Sequence, residues 1–152
     1  VGTFLERADN TARILDVKYY VLLPSVTSVG SSIDNVQWET ILRSVSARGG
    51  FRLEYGSNFE PREIAQFLIL DGRMPRSLAF CVRKLRSNLG YLCSSYGNRP
   101  TSFSKVDHIE RQFLCDDIEA IFNYGLHEYL QQILALLTDL GDQIQIDYRF
   151  YE

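Results

Sequence analysis

The end of the chain carries the apolar pattern that most constrains its fold. From Leu126 to Ile144, apolar residues recur at steps of four, three, four, three and four, which puts them on one face of an α-helix. The sequence predicts a helix from Leu126 to Arg149, about 36 Å long at 1.5 Å per residue. Because such a face must be covered by other helices, the pattern favours a helical bundle. The residues of this apolar face are Leu126, Leu130, Ile133, Leu137, Leu140 and Ile144.

A second long helix is predicted at the start of the chain, from Thr3 to Leu23. Pro24 ends it, because the residue before a proline avoids the helical region. Its apolar positions recur at steps of three and four, and charged or amide residues occupy the opposite side. The apolar positions are Phe4, Ala8, Ala12, Leu15, Tyr19 and Leu22, and the polar ones are Glu6, Asp9, Asn10, Arg13 and Asp16.

Shorter helices are predicted between these two, and no stretch alternates with period two for long enough to form a sheet. The fold class is therefore all-α, a multi-helix bundle with long amphipathic first and last helices, and residues 1–152 form one domain. The predicted elements are a loop from Ser25 to Asn35, a helix from Asn35 to Ala47 ended by Gly49-Gly50, a turn or two of helix over Phe51–Tyr55, helices over Pro61–Leu70 and Pro75–Ser94, a loop over Gly97–Ser102, and a helix capped by Ser104 that continues to Phe122.

Charge and hydropathy exclude several classes of protein. The 16 basic and 19 acidic residues give a net charge of −3, and a weakly acidic chain lacks the basic footprint of nucleic-acid binding. It is also unsuited to an anionic membrane surface. No run approaches the ~20 apolar residues of a membrane span. We expect no nucleic-acid partner and no membrane association.

The three cysteines, Cys81, Cys93 and Cys115, fit no metal or redox spacing. They lie among apolar residues and are predicted to be small buried hydrophobes. An odd number of reduced cysteines favours a cytoplasmic location. We therefore expect no metal site and no cofactor.

The polar side of the first helix is the first candidate site. Glu6, Asp9, Asn10 and Arg13 share one side of the helix, and Asp9 can pair with Arg13 four residues later. One interpretation is a solvated, ion-paired face or a polar contact with other helices. The other is a buried network or a pocket for a polar ligand, in which Arg13 would bind a carboxylate or phosphate.

A basic cluster beside the fifth predicted helix is the second candidate. Five cations lie within fourteen residues, namely Arg73, Arg76, Arg83, Lys84 and Arg86. Arg76, Arg83 and Arg86 share with Phe80 the helix face opposite the leucine positions. The candidate patch is Arg73, Arg76, Phe80 and Arg83. An ordinary solvated face explains the charges. An anion-binding or protein-docking patch also explains the aromatic ring on the outer side.

His127-Glu128 invites comparison with zinc proteases. The spacing fails, because position 131 is Gln rather than His. We predict that His127 is a hydrogen-bonded structural histidine. Cys115 precedes Asp116-Asp117, whose charges disfavour a thiolate, so no catalytic cysteine is predicted.

Several segments resemble the Alpha-E family of bacterial helical proteins, in order and over nearly the whole chain. We consider the resemblance specific because no single motif bears it alone. It implies that the chain corresponds to the C-terminal half of a longer protein. The segments are Leu5-Glu6-Arg7-Ala8-Asp9-Asn10-Thr11-Ala12-Arg13, Gln37-Trp38, Leu42-Arg43-Ser44-Val45-Ser46-Ala47, Phe67-Leu68-Ile69-Leu70, Met74-Pro75-Arg76-Ser77-Leu78 and Gly125-Leu126-His127-Glu128-Tyr129-Leu130.

What the resemblance implies about function is context rather than chemistry. Such proteins are commonly encoded beside a circularly permuted ATP-grasp protein and a transglutaminase-like protein, but they have no agreed catalytic residues. We expect a non-catalytic interaction module that binds such a partner, and a two-fold homodimer. The alternative hypothesis is an enzyme or ligand-binding domain with its polar site on the first helix.

Overall fold

A computed structural model describes residues 1–20 and 32–149. All regular structure within these residues is helical, which confirms the predicted all-α class. Three helices are long, with 19, 19 and 23 residues. The helices are α1 (Gly2–Tyr20), α2 (Ser32–Ser44), α3 (Arg48–Tyr55), α4 (Pro61–Leu70), α5 (Leu78–Tyr96), α6 (Thr101–Phe113), α7 (Ile118–Tyr124) and α8 (Leu126–Tyr148).

Four helices form the body of the bundle. Both α1 and α6 pack against α5 and α8, so the four helices enclose one core. The apolar face predicted for α8 lies inside this core, and each of its six residues is at most 5% exposed. The shorter helices pack around the body: α2 contacts α1, α4 contacts α5, and α7 contacts α8.

Helices α1 and α8 run antiparallel. Leu5 near the start of α1 lies against Gly141 late in α8, whereas Asp16 near the end of α1 contacts His127 at the start of α8. A Cβ atom added at Gly141 would lie 3.0 Å from Leu5 Cδ2, so the glycine lets the two helices approach closely. The polar edges of α1 and α8 therefore lie side by side.

The boundary between α2 and α3 differs from the prediction. Gly49-Gly50 do not end a helix but lie in the first turn of α3. The chain leaves α2 earlier, at Ser46, which has a left-handed φ of 54°. The Ala47 N–H donates to the Leu42 carbonyl at 2.7 Å, a bond that closes the helix end without a glycine.

The predicted loop from Ser25 to Asn35 can be assessed only at its end. Its residues up to position 31 lie outside the described residues, as do the predicted helix end at Leu23 and the stop at Pro24. Its last four positions begin α2 at Ser32, so the predicted start at Asn35 is wrong.

Helix α5 begins at Leu78 rather than at the predicted Pro75. The Asp71 carboxylate accepts the N–H groups of Arg73 and Met74 at 2.7 and 2.9 Å, and these bonds hold the segment before the helix in a turn. Ser77 then caps α5 by accepting the Phe80 N–H at 3.0 Å. In contrast, α4 has the predicted bounds and begins at Pro61.

A residue from another helix accepts a hydrogen bond from the first turn of α6. The Ser102 N–H, in its first turn, donates to Asp147 Oδ2 of α8 at 2.7 Å. The predicted cap, Ser104, lies inside the helix. The helix predicted to continue to Phe122 is two helices, because Asp117 accepts the Ala120 N–H at 2.8 Å and starts α7.

Two of the three cysteines differ from the predicted burial. Cys81 is buried, but Cys93 is half-buried and Cys115 is exposed. Cys115 lies between α6 and α7, in a connection that the sequence analysis treated as helix. Among the helices that the structure describes, none is long and apolar enough to cross a membrane.

Candidate functional site

The polar side of α1 divides between a groove and open solvent. Glu6 and Asp9 line a groove between α1 and α8 with a volume of about 280 Å³. Asn10 and Arg13 are exposed and do not line it. The structure therefore brings together only two of the four residues of the predicted polar cluster. The remaining lining residues are Leu5, Leu137, Thr138, Gly141, Asp142 and Gln145.

Asp9 and Arg13 form the ion pair that their spacing predicts. Arg13 Nε and a terminal guanidinium nitrogen donate to the two Asp9 oxygens at 2.7 and 3.1 Å. The hydrogen bond and charge of Asp9 raise the pKa of Arg13, whose side chain is 60% exposed. Because solvent screens a pair this exposed, it adds little to stability. The pair does mean that Arg13, the one cation of the predicted cluster, already has Asp9 as its partner.

A polar contact joins the other ends of α1 and α8. Asp16 Oδ1 lies 2.7 Å from His127 Nδ1, and Gln131 Nε2 donates to Asp16 Oδ2 at 2.8 Å. The prediction that His127 is hydrogen-bonded is thus confirmed. Asp16 orients the imidazole and ties the two helices together. Within residues 1–20 and 32–149, no group of three His, Cys, Asp or Glu side chains is placed to hold a metal ion.

Lys18, which no sequence pattern singles out, is fully buried. Its Nζ donates to Gln37 Oε1 of α2 at 2.8 Å and lies 5.0 Å from the centre of the Trp38 ring. A buried cation needs such partners. Lys18 therefore helps to hold α2 against α1.

Two of the three arginines in the predicted docking patch form ion pairs. Arg73 pairs with Glu54 at 2.7 Å and Asp71 at 3.6 Å, and these partners raise its pKa. Arg83 pairs with Glu110 of α6 at 3.5 Å. Arg73 and Arg83 are thus neutralised within the chain.

Arg76 and Phe80 lie instead beside residues of α1. The Phe80 ring is 6.2 Å from the Phe4 ring, and the Arg76 carbonyl accepts a hydrogen bond from buried Thr11 at 2.8 Å. Arg7 lies over Phe4 at 5.7 Å and Lys84 over Phe80 at 5.5 Å. We call this set, Phe4, Arg7, Arg76, Phe80 and Lys84, the α1–α5 patch.

The sequence patterns place Lys84 in the basic cluster but do not single out Phe4 or Arg7 as site residues. A local signal exists, since Arg7 follows Phe4 by three residues and Lys84 follows Phe80 by four. Each spacing places a cation one helical turn from an aromatic ring. A single sequence does not show that these two cation–aromatic pairs lie side by side on neighbouring helices.

Cys81 lies beneath the α1–α5 patch and is unreactive. Burial raises the pKa of its thiol to about 11, although the charges of Arg7 and Arg76 act in the opposite direction. The thiol is therefore protonated at neutral pH and a poor nucleophile.

The chain contains two Glu-Arg dipeptides, and in both the side chains diverge. Glu6 lines the α1–α8 groove while Arg7 lies in the α1–α5 patch. Glu110 accepts ion pairs from Arg83 and Arg86 of α5, while Arg111 pairs with Asp107. Each dipeptide thus serves two different contacts.

Comparison with known proteins places the chain in a family. A family model described as Alpha-E, a predicted alpha-helical domain with a conserved ER motif, matches residues 1–148. No curated protein and no solved structure matched the sequence. Since the match covers nearly the whole chain, this protein belongs to the Alpha-E family.

Proposed function

We propose that this domain is a non-catalytic helical interaction module. Its partners would be an ATP-grasp protein or a transglutaminase-like protein, the enzymes that accompany the family. Both classes make or cut amide bonds, so the module would serve a pathway of that chemistry.

The observation that carries the proposal is the dispersal of the α1 polar residues. Glu6 and Asp9 line an open groove of about 280 Å³, whereas Asn10 and Arg13 lie outside it in solvent. Ligand pockets typically enclose most of the ligand. An open groove that only two of the four polar residues line supports a surface role.

Two side chains that could suggest catalysis, Cys81 and His127, are engaged in packing. Cys81 is buried, with the pKa of its thiol raised to about 11. His127 is tied to Asp16 in the contact between α1 and α8. These contacts support a structural use of both side chains.

A ligand-binding or enzymatic domain is the second candidate. It is favoured by the chemistry of the groove, where Glu6, Asp9 and Asp142 present carboxylates beside Gln145. Such a lining would suit a small ligand bearing an ammonium group. The two candidates differ in whether the groove side of α1 is the functional surface.

Binding to the purified partners tests the proposal. The domain is titrated by calorimetry with an ATP-grasp protein and with a transglutaminase-like protein from the same genome, the two classes commonly encoded beside members of the family. We expect one of them to bind in the micromolar range or tighter. If neither binds, the module is not a partner for these enzymes and the proposal fails.

A groove variant separates the two candidates. Glu6→Gln combined with Asp9→Asn removes the α1 carboxylates and keeps their size. The interaction module should bind its partner as the wild type does. Loss of partner binding, or of ATP turnover in the complex, would favour the groove as the functional site.

We also propose that the domain forms a two-fold dimer. Several large apolar side chains are exposed in the described residues, among them Leu53 at 92% and Tyr91 at 74%, and association would cover such surface. Light scattering at several concentrations measures the mass. A monomer at all concentrations would rule the dimer out.

A further inference from the structure

Three cations of the α1–α5 patch have no acidic partner among residues 1–20 and 32–149. Arg7, Arg76 and Lys84 form no ion pair there. Their neighbours in the same region differ, since Arg73, Arg83 and Arg86 each pair with a carboxylate. The chain as a whole is acidic, so the unmatched cations are not the result of a shortage of carboxylates.

Two of these cations, Arg7 and Lys84, lie over the rings of an aromatic pair at the contact of two helices. Phe4 of α1 and Phe80 of α5 are half-buried and in contact, with ring centres 6.2 Å apart. Arg7 and Arg76 are half-buried as well, and Lys84 is exposed. Both arginines lie close enough to Cys81 for their charges to act on its thiol. The surface thus combines apolar contact area with three nearby positive charges.

The face continues along α5. Phe80, Lys84 and Tyr91 are separated by four and seven residues, which places them on one side of the helix. The Tyr91 side chain is 74% exposed. Tyrosine is one of the residues enriched at the centres of binding surfaces.

We propose that the α1–α5 patch is a docking surface for an acidic segment of a partner protein. This inference rests on the proposed function, because it names the surface through which the module binds. Carboxylates of the segment would pair with Arg7, Arg76 and Lys84, and its apolar side chains would contact the two phenyl rings.

The spacing of the charges favours a peptide over a small anion. Lys84 lies six residues, about 9 Å, beyond the start of α5 at Leu78, and Arg76 precedes that start. Arg7 belongs to the neighbouring helix α1. Charges spread over two helices and the turn before α5 suit a chain that carries several carboxylates better than they suit one phosphate group.

The test uses defined peptides and two variants of equal charge. The probes are a fluorescent decapeptide of alternating glutamate and alanine and its glutamine–alanine counterpart. The patch variant carries Arg7→Gln, Arg76→Gln and Lys84→Gln. The control variant carries Arg52→Gln, Arg99→Gln and Arg149→Gln, which removes three other cations that also lack a carboxylate partner in the described structure. Both variants lower the net charge by three, and circular dichroism checks their folding.

We expect the wild type and the control variant to prefer the glutamate peptide by roughly tenfold, the combined effect of three exposed ion pairs. The patch variant should lose this preference, and Lys84→Gln alone, at an exposed position, should lose part of it. Equal binding of the two peptides by the wild type would overturn the inference. So would an equal loss in the control variant, because the effect would then be one of net charge.

Other occupants of the patch give distinct results. Tighter binding of a single-stranded oligonucleotide, of anionic phosphatidylserine vesicles or of inorganic phosphate than of the glutamate peptide would contradict peptide docking. Self-association that disappears in the patch variant would assign the surface to a second copy instead. If the enzyme partner binds the patch variant and the wild type equally, the inference fails while the proposed function stands. If neither enzyme binds the wild type, the proposed function fails by its own test.

Discussion

The two sides of helix α1 satisfy their charges in different ways. On the side facing α8, Asp9 pairs with Arg13 and Asp16 contacts His127 and Gln131. On the side facing α5, Arg7 lies over a phenyl ring without a carboxylate partner in the described residues. On the first side, Asp9 and Asp16 have partners within the chain, whereas Arg7 on the second side carries a charge that another molecule can match. The difference separates polar residues that hold the fold from those available for binding.

The comparison requires α1 to be fixed in the core, and Leu15→Ala tests this most strongly. Leu15 is fully buried, and removing such a side chain destabilises a protein by about 2–5 kcal/mol. Urea denaturation measures the change. Val17→Ala, at a position 47% exposed, serves as the control and should change stability by less than about 0.5 kcal/mol. Equal effects of the two substitutions would mean that α1 does not pack as described.

Asp16→Ala tests whether the α8 side of α1 supports the fold. The substitution removes the acceptor of both His127 and Gln131, and the loss should be about 1–2 kcal/mol. Asn10→Ala, at an exposed position on the same helix, should change stability by less than about 0.5 kcal/mol. Should both variants melt alike, the Asp16 contact would have no structural weight.

A third substitution examines a charge that is matched elsewhere in the chain. Burial would raise the pKa of Asp147, but hydrogen bonds from Ser102 and Gln143 hold it below its usual value. At pH values above the usual pKa of aspartate, the lowered pKa of Asp147 stabilises the fold. This contribution is lost as the pH falls through the lowered pKa. Asp147→Asn keeps an acceptor for Ser102 and removes the charge.

The wild type should be more stable than the Asp147→Asn variant at pH 7 by less than about 1 kcal/mol, because the carboxylate is partly screened by solvent. The difference should shrink as the pH is lowered from 7 through and below the usual pKa of aspartate, because the carboxylate then becomes protonated in the folded chain as well. Urea denaturation across this range measures it. A difference independent of pH would show that the charge is not the cause.

The smallest change in stability is expected on the α5 side of α1. The patch variant lacks three cations that form no ion pair in the described structure, so its free energy of unfolding should change by less than about 1 kcal/mol in total. Urea denaturation of this variant and of the control variant measures the change. A large loss restricted to the patch variant would assign Arg7, Arg76 and Lys84 to the fold instead.

The elements predicted well from the sequence are those with a local cause. The α8 face follows from the spacing of its apolar residues, and α4 begins at the proline that starts it. His127 was also predicted correctly as hydrogen-bonded, although its partner Asp16, 111 positions away, could not be inferred from a single sequence.

The start of α6 was predicted wrongly because it depends on a contact distant in sequence. Helix α6 begins at Thr101 because Asp147 of α8 accepts the Ser102 N–H, and no pattern near Ser104 reveals this. The α1–α5 patch likewise needs α1 and α5 to be neighbours. Its residues Arg76 and Phe80 were in the predicted patch, whereas Arg7 comes from a helix about 70 positions earlier.

The affinity of two variants for the partner enzymes tests most directly whether the α1–α5 patch is the docking surface. The ATP-grasp and transglutaminase-like proteins are titrated with the wild type, with the groove variant Glu6→Gln/Asp9→Asn, and with the patch variant Arg7→Gln/Arg76→Gln/Lys84→Gln. We expect the patch variant to bind roughly tenfold more weakly and the groove variant to bind as the wild type does. Weaker binding by the groove variant, with the patch variant unchanged, would contradict this expectation.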